Sequence, residues 1–311
     1  MARSTTVKVA IDLGRVRANA EAIRRATGVP IIAVVKADAY GLGAMQVSRA
    51  IADLVDGFYV FDLGEAIDAR LAETGRRTLL LRAESSDPDD YLAQRAQPAV
   101  WHREMAGDLR RARPVLSVDS GQQRFGVPID QTTVLAQVIA SGDISEAFTH
   151  ATRTSQAAAL RDVLRDRLSC LHAAGSALIA ESSAWLDRVR PGLALYRGAV
   201  RVSSLLIETT DTRGPAGYTG FTAKRHGVIV GGYCNGIAAG PCAINGRRAH
   251  LPEVGMQSAF VELDAGDRVG DEVVLLGDGI TEQDVAAAWN VTPQEALLRL
   301  CSAGERTYIA P

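Results

Sequence analysis

Over its first two thirds the chain alternates short apolar runs with segments of helical spacing, and that rhythm limits the fold to few choices. Strands are expected at residues 7–12, 31–35, 58–61, 78–81, 99–101, 115–118, 147–149 and 170–173. Helical segments fall between them, at 13–23, 44–54, 63–73, 91–95, 103–113, 132–141 and 156–168, with a short helix near 182–186 ahead of Val189 and Arg190. Repeated strand–helix units of this period build a parallel sheet. About eight of them in under roughly 200 residues make a (β/α)8 TIM-like barrel, whose functional groups gather at the carboxyl ends of the strands.

The rhythm breaks near Arg201. Glycine-separated β runs follow at 203–209, 228–230, 260–263 and 273–276, and two helices at 282–289 and 293–300 close the chain. The second helix has Thr292 as its cap and Pro293 in first position. The expected fold class is therefore α/β: a barrel over residues 7–200 and a C-terminal β-rich domain over 201–311, with residues 1–6 as a candidate addition to the latter.

The stretch Ile31-Ile32-Ala33-Val34-Val35 reads as a strand buried on both faces. Lys36 follows at its carboxyl end, ahead of a small-residue loop with Gly41 and Gly43. Desolvation penalises an ammonium, lowers its pKa and leaves a nucleophilic amine. Such an amine forms a Schiff base with an aldehyde, and pyridoxal phosphate (PLP) is the commonest aldehyde cofactor. A strand-end lysine that simply extends its head to water is the plain alternative.

Composition narrows the function. A chain of 311 residues with 47% hydrophobic content can bury a large core, and a net charge of -2 calls for neither nucleic acid nor an anionic membrane surface. Cys170, Cys234, Cys242 and Cys301 show no metal-ligand spacing and read as reduced thiols of a cytoplasmic protein. No metal site and no membrane span is expected.

Residues 33–43, Ala-Val-Val-Lys-Ala-Asp-Ala-Tyr-Gly-Leu-Gly, resemble the PLP-attachment motif of the alanine racemase family, which has the type III PLP fold. Further resemblances keep the family's order: Ile11-Asp12-Leu13 with Arg17-Ala18-Asn19, then 118–126, then 189–196 (Val-Arg-Pro-Gly-Leu-Ala-Leu-Tyr), then Gly232-Tyr233-Cys234-Asn235-Gly236, and finally 269–277. The resemblance implies a PLP-dependent amino-acid racemase, acting on alanine or another small amino acid, built as a head-to-tail homodimer.

It also implies roles. Lys36 would carry PLP and move a proton at one face of the substrate Cα, and Tyr218 of the partner subunit would serve the opposite face. Arg190 would donate to the pyridine nitrogen, which it cannot protonate. Tyr40, Ser176 and Gly192 resemble phosphate-binding positions, and His150 a histidine packed on the cofactor ring. Arg124 would meet the substrate carboxylate region or the cofactor's phenolic oxygen. Tyr233 and Met256 resemble the substrate entrance and carboxylate pocket.

The chain departs from the family at Asp38 (usually Asn), at Leu42 (often His), in the spacing after Tyr218 and at three further positions, and it is shorter than typical members. Ser117 replaces a lysine, frequently carbamylated, that orients the arginine matched by Arg124. Gly175 replaces an asparagine, and Gln257 replaces an aspartate. These changes touch the substrate side more than the PLP anchor. They leave open decarboxylation or elimination on the same scaffold, and a non-catalytic PLP-binding protein.

Overall fold

The computed structural model describes residues 7–310. Two compact units are present, one of residues 16–39 and 43–195, the other of residues 7–15, 40–42 and 196–310. The expectation for residues 1–6 lies outside the described residues.

The first unit is a barrel of eight parallel strands. Ile32–Val34, Gly57–Val60, Arg77–Leu80, Ala96–Val100, Val115–Asp119, Glu146–Ala151, Cys170–Gly175 and Arg188–Arg190 pair in that order. A parallel bridge between Ile31 and Val189 joins last to first, and Val34 N–H donates to Pro191 O at 2.9 Å across the same seam. Strands covered on both faces need continuous apolar runs. Ile31 to Val35 meets that requirement, each residue being buried. Helices wrap the outside, and Ala44–Ile51 presents Val47 and Ile51 inward at helical spacing.

The amino ends of the strands carry a buried ionic network. Arg77 forks onto Glu146, Nη1 to Oε2 at 2.7 Å and Nη2 to Oε1 at 3.0 Å. His172, fully buried, brings Nε2 to 2.9 Å from Glu146 Oε1. Asp56 accepts from Arg188 Nε at 2.9 Å and lies 3.1 Å from Arg77 Nη2. Barrel chemistry resides at the other end, so this network serves stability.

The second unit is a mostly antiparallel sheet. Its path runs through Arg247–Leu251, Gly240–Ile244, Glu272–Leu276, Val200–Asp211, Lys8–Asp12 and Glu305–Ile309, with Arg225–Val230 and Ser258–Glu262 added alongside Val200–Asp211. The helices Glu282–Trp289 and Pro293–Cys301 pack in this unit, and Thr292 Oγ1 accepts from Glu295 N–H at 3.2 Å as an N-cap.

Two expectations are corrected here. Lys8–Asp12 is not a barrel strand; it pairs antiparallel with Val200–Asp211 and parallel with Glu305–Ile309. Its alternation explains why: Val9 and Ile11 are buried while Lys8 is exposed, the pattern of a one-sided sheet. Nor do helices end the chain, since Glu305–Ile309 follows them as a largely exposed edge strand whose polar residues hide its β character.

The amino-end network makes stability depend on pH. Desolvation alone would raise the Glu146 carboxyl, but hydrogen bonds from His172 and Arg77 overcome it and hold it well below the usual carboxylate range. Burial pushes the His172 imidazole down to about 4, against the raising effect of its Glu146 hydrogen bond. Both folded-state values lie below their unfolded ones, so the unfolded chain binds more protons and stability drops as the solution is acidified. The His172 contribution is complete above pH 6.5 and is lost as pH drops towards about 4; that of Glu146 follows at lower pH. Urea midpoints measured from pH 7 to pH 4 should fall, and His172→Gln should flatten that slope. An unchanged slope in the variant would contradict the assignment.

Candidate active site

Lys36 stands just past the first barrel strand, at the start of a turn with unusual handedness. Ala37, Asp38, Ala39 and Tyr40 have φ of 53°, 52°, 54° and 59°. The left-handed helical region costs an L-residue roughly 1–2 kcal/mol, so four consecutive non-glycine residues need outside support. Glu65 provides part of it, accepting from Ala37 N–H through Oε1 at 2.7 Å and from Phe61 N–H through Oε2 at 2.7 Å. Asp38 closes the turn, its backbone oxygen accepting from Gly43 N–H at 2.9 Å and its Oδ1 from Ala44 N–H at 2.7 Å. The Lys36 amine is half-buried. Desolvation and the positive charge of Arg124, with a smaller contribution from Arg190, push its pKa down, while Glu65 pulls the other way. A solvent-seeking lysine would not feel this environment.

Arg190 ends the last barrel strand and is 4% exposed. Its guanidinium carbon lies 4.7 Å from the Phe148 ring centre and 5.3 Å from that of Tyr59, and Nη2 donates to Thr149 O. Nε is buried without a hydrogen-bond partner among the described residues. This is no surface ion-pair arginine. A buried guanidinium held by ring faces, one carbonyl and the Tyr59 hydroxyl is costly to the fold, and its spare N–H is available to an acceptor.

Other barrel candidates are nearby in the strand order. Ser176 Oγ accepts from Gly192 N–H at 2.9 Å and from Ala194 N–H at 3.1 Å, so its own proton remains for a ligand. His150 opens to solvent from the sixth strand, and a Cβ at Gly175 would meet its ring at Cε1 in ordinary contact, 3.6 Å away. Desolvation, then the charges of Arg190, Lys36 and Arg124, push His150 down to about 4, so it is neutral at pH 7. Arg124 lies in the loop after the fifth strand, exposed, with its backbone N–H on Asp119 Oδ2 at 3.1 Å. Ser117 Oγ donates to Phe125 O within that loop.

The remaining candidates belong to the other unit. Tyr40 packs on Tyr196 with ring centres 5.2 Å apart, and burial raises its pKa, keeping it a phenol. Tyr218, Tyr233 and Met256 are 95%, 58% and 61% exposed. Glu253 ties them to one region, accepting from Tyr218 N–H at 2.8 Å and Thr219 N–H at 2.7 Å, while Tyr233 N–H and Cys234 N–H donate to Gly255 O and Met256 O. Gln257 is exposed, and its backbone oxygen accepts from Gly231 N–H. Glu65, Tyr59, Phe148 and Thr149 did not stand out in the sequence, because a helix-borne carboxylate and barrel-lining aromatics look like ordinary surface and core.

The barrel mouth thus gathers an easily deprotonated amine, a buried N–H donor without a partner, a hydroxyl beside a backbone amide, and an excess of positive charge. That donor set fits an anionic aldehyde with an unprotonated ring nitrogen, which describes PLP. Fold and mouth together define a (β/α)8 barrel with an activated lysine and a separate β-rich unit.

Comparison with known proteins gives the family. Residues 11–200 match the alanine racemase N-terminal domain and residues 215–308 the alanine racemase C-terminal domain. The alanine racemase of Neisseria gonorrhoeae is 30% identical over 349 aligned residues, spanning 97% of this chain and 99% of that protein. The biosynthetic alanine racemase of Pseudomonas aeruginosa superposes with a TM-score of 0.87 at 26% identity, covering 98% of this chain and 100% of the other. A Bartonella henselae alanine racemase with covalently bound pyridoxal phosphate shares the fold, with a TM-score of 0.86 at 23% identity over 98% of this chain and 100% of that one. The chain belongs to the alanine racemase family.

The unpartnered Arg190 Nε yields a stability prediction. A buried guanidinium without a carboxylate partner carries a desolvation cost that an apolar side chain of similar length removes. Arg190→Met should unfold at the same temperature as the parent chain or higher in thermal melts. A loss above about 3 kcal/mol would mean that Arg190 is a structural residue.

Proposed function

We propose that this chain is a PLP-dependent amino-acid racemase that interconverts the L- and D-enantiomers of alanine or another small amino acid by two-base proton transfer at Cα. The observation that carries the reading is the pairing of the Lys36 amine, made easier to deprotonate, with Arg190, whose buried Nε–H has no hydrogen-bond partner among the described residues. Relatives named alanine racemase, aligned over nearly the whole chain, support the substrate class.

When bound, PLP supplies the aldehyde that condenses with an amine and the ring that takes up the electron pair left at Cα. Lys36 would hold that aldehyde and, as a free amine, would move a proton at one face of Cα. Arg190 would donate to the ring nitrogen and, being unable to accept a proton, would leave it unprotonated. Ser176, Gly192 and Tyr40 would hold the phosphate by hydroxyl and amide donation. His150, neutral at pH 7, would add no charge beside the ring. Arg124 orients the substrate carboxylate or the cofactor's phenolic oxygen.

Tyr218 of the partner subunit is the second base in this proposal, and the molecule is a head-to-tail homodimer. The near-complete exposure of Tyr218 in a single chain supports that part, as does its company with exposed Tyr233 and Met256 at the substrate entrance. We assign the protein to the cytoplasm, where thiols such as those of Cys170, Cys234 and Cys242 stay reduced.

Incubating the protein with PLP and single L-amino acids in deuterated buffer tests the reading. The expected product is the D-enantiomer carrying deuterium at Cα, for a small amino acid. Tyr218→Phe should lower racemisation by about 100-fold or more, the usual contribution of an acid–base group. Loss of the carboxylate or side chain instead of inversion would replace racemisation with another PLP reaction, and full activity in Tyr218→Phe would remove it as second base.

A further inference from the structure

Arg124 has no carboxylate partner and no side-chain hydrogen bond among the described residues; its guanidinium carbon instead lies 5.6 Å from the centre of the Phe125 ring. An exposed arginine on a loop would ordinarily sample many rotamers, at a cost of roughly 2 kcal/mol to fix. Three features of the loop oppose that freedom.

Phe125 itself is anchored. Its ring centre is 5.5 Å from Trp101, tilted, and 6.3 Å from Phe61, edge-on, so aromatic side chains following the second, fourth and fifth barrel strands form one cluster. Its carbonyl accepts from the buried Ser117 hydroxyl. The backbone on both sides of Arg124 is strained, with Gln123 at φ 55° and Phe125 at φ 43°. A bulky side chain in that region is an outlier that persists only when its surroundings over-determine it. Finally, Asp119 clamps the loop, Oδ1 accepting from Gly121 N–H and Gln122 N–H and Oδ2 from Arg124 N–H. Gly126 closes it, for a Cβ there would meet Asp119 N at 2.7 Å.

We propose that Phe125 is a positioning residue: its ring, lodged against Trp101 and Phe61, holds the Arg124 guanidinium over the barrel mouth, within electrostatic reach of Lys36. The inference rests on the reading of Lys36 as the reactive amine. The charged groups acting on that amine are Arg124, Glu65 and Arg190. Arg190 is buried against the Phe148 and Tyr59 rings, whereas Arg124 is exposed and has the Phe125 ring as its side-chain neighbour. With the ring removed, Arg124 swings towards solvent, its repulsion of the Lys36 ammonium weakens, and the free amine becomes scarcer at a given pH.

Competitive trace acetylation of the full chain without added cofactor reads this directly. The Lys36 peptide is quantified by mass spectrometry at graded pH, with exposed Lys8 as internal standard. Phe125→Leu removes the ring and keeps apolar volume. Phe125→Gly removes it and also relieves the left-handed backbone, so it gives a second ring-less variant without the strain of an L side chain. Both should slow Lys36 labelling near neutral pH by about threefold or more and move its midpoint upward. Phe125→Tyr should label like the parent. Arg124→Gln should show the same slowing, and adding Phe125→Gly to it should produce no further change. Unchanged labelling in both ring-less variants, or additive effects with Arg124→Gln, would overturn the proposal. Because labelling needs no cofactor, a failure here is separable from a failure to racemise.

Discussion

The constraint on which the rest of this structure depends is the crowding of positive charge at one end of a barrel. Arg124 and Arg190 both act on Lys36 there, and Glu65 is the acid that offsets them. Like charges in a partly dry cleft repel strongly. The chain relieves that repulsion where it can, by making the lysine the group that yields its proton. Arg190 cannot yield, so it is packed between ring faces and left with a donor unused. Such a mouth is complementary to an anion bearing an electrophilic carbon, which is the chemistry that the alanine racemase family draws from PLP.

The two ends of the barrel divide the labour. At the amino end, Arg77, Asp56, Glu146, His172 and Arg188 satisfy one another's charges in a closed network. At the carboxyl end the same residue types are left unbalanced, and the backbone is strained at Ala37–Tyr40 and again around Arg124. Strain of this kind concentrates where geometry matters for chemistry. Each strained turn is clamped by a carboxylate, Glu65 with Asp38 in one case and Asp119 in the other. These acids act as scaffolding for the cationic groups between them.

Much of this was legible in the sequence. The barrel followed from repeated apolar runs, and Lys36 stood out because a cation directly after five buried residues demands an explanation. Arg190 stood out through its Pro-Gly context. The rest was hidden for physical reasons. Lys8–Asp12 has the alternation of a half-exposed strand, which a barrel count absorbs wrongly. Glu305–Ile309 gains its β structure from pairing with Lys8–Asp12, not from its own polar residues. The left-handed turn after Lys36 carries no glycine to announce it, and the importance of Phe125 emerges only when Phe61 and Trp101 arrive beside it from distant positions.

The central claim is that Lys36 carries the cofactor, and one measurement addresses it most directly. The protein is loaded with PLP, reduced with borohydride and digested, and the peptides are weighed. A stable phosphopyridoxyl mass on the Lys36 peptide, lost in Lys36→Arg, is the predicted result. Modification confined to Lys8 or Lys224, or no stable adduct at all, would contradict it.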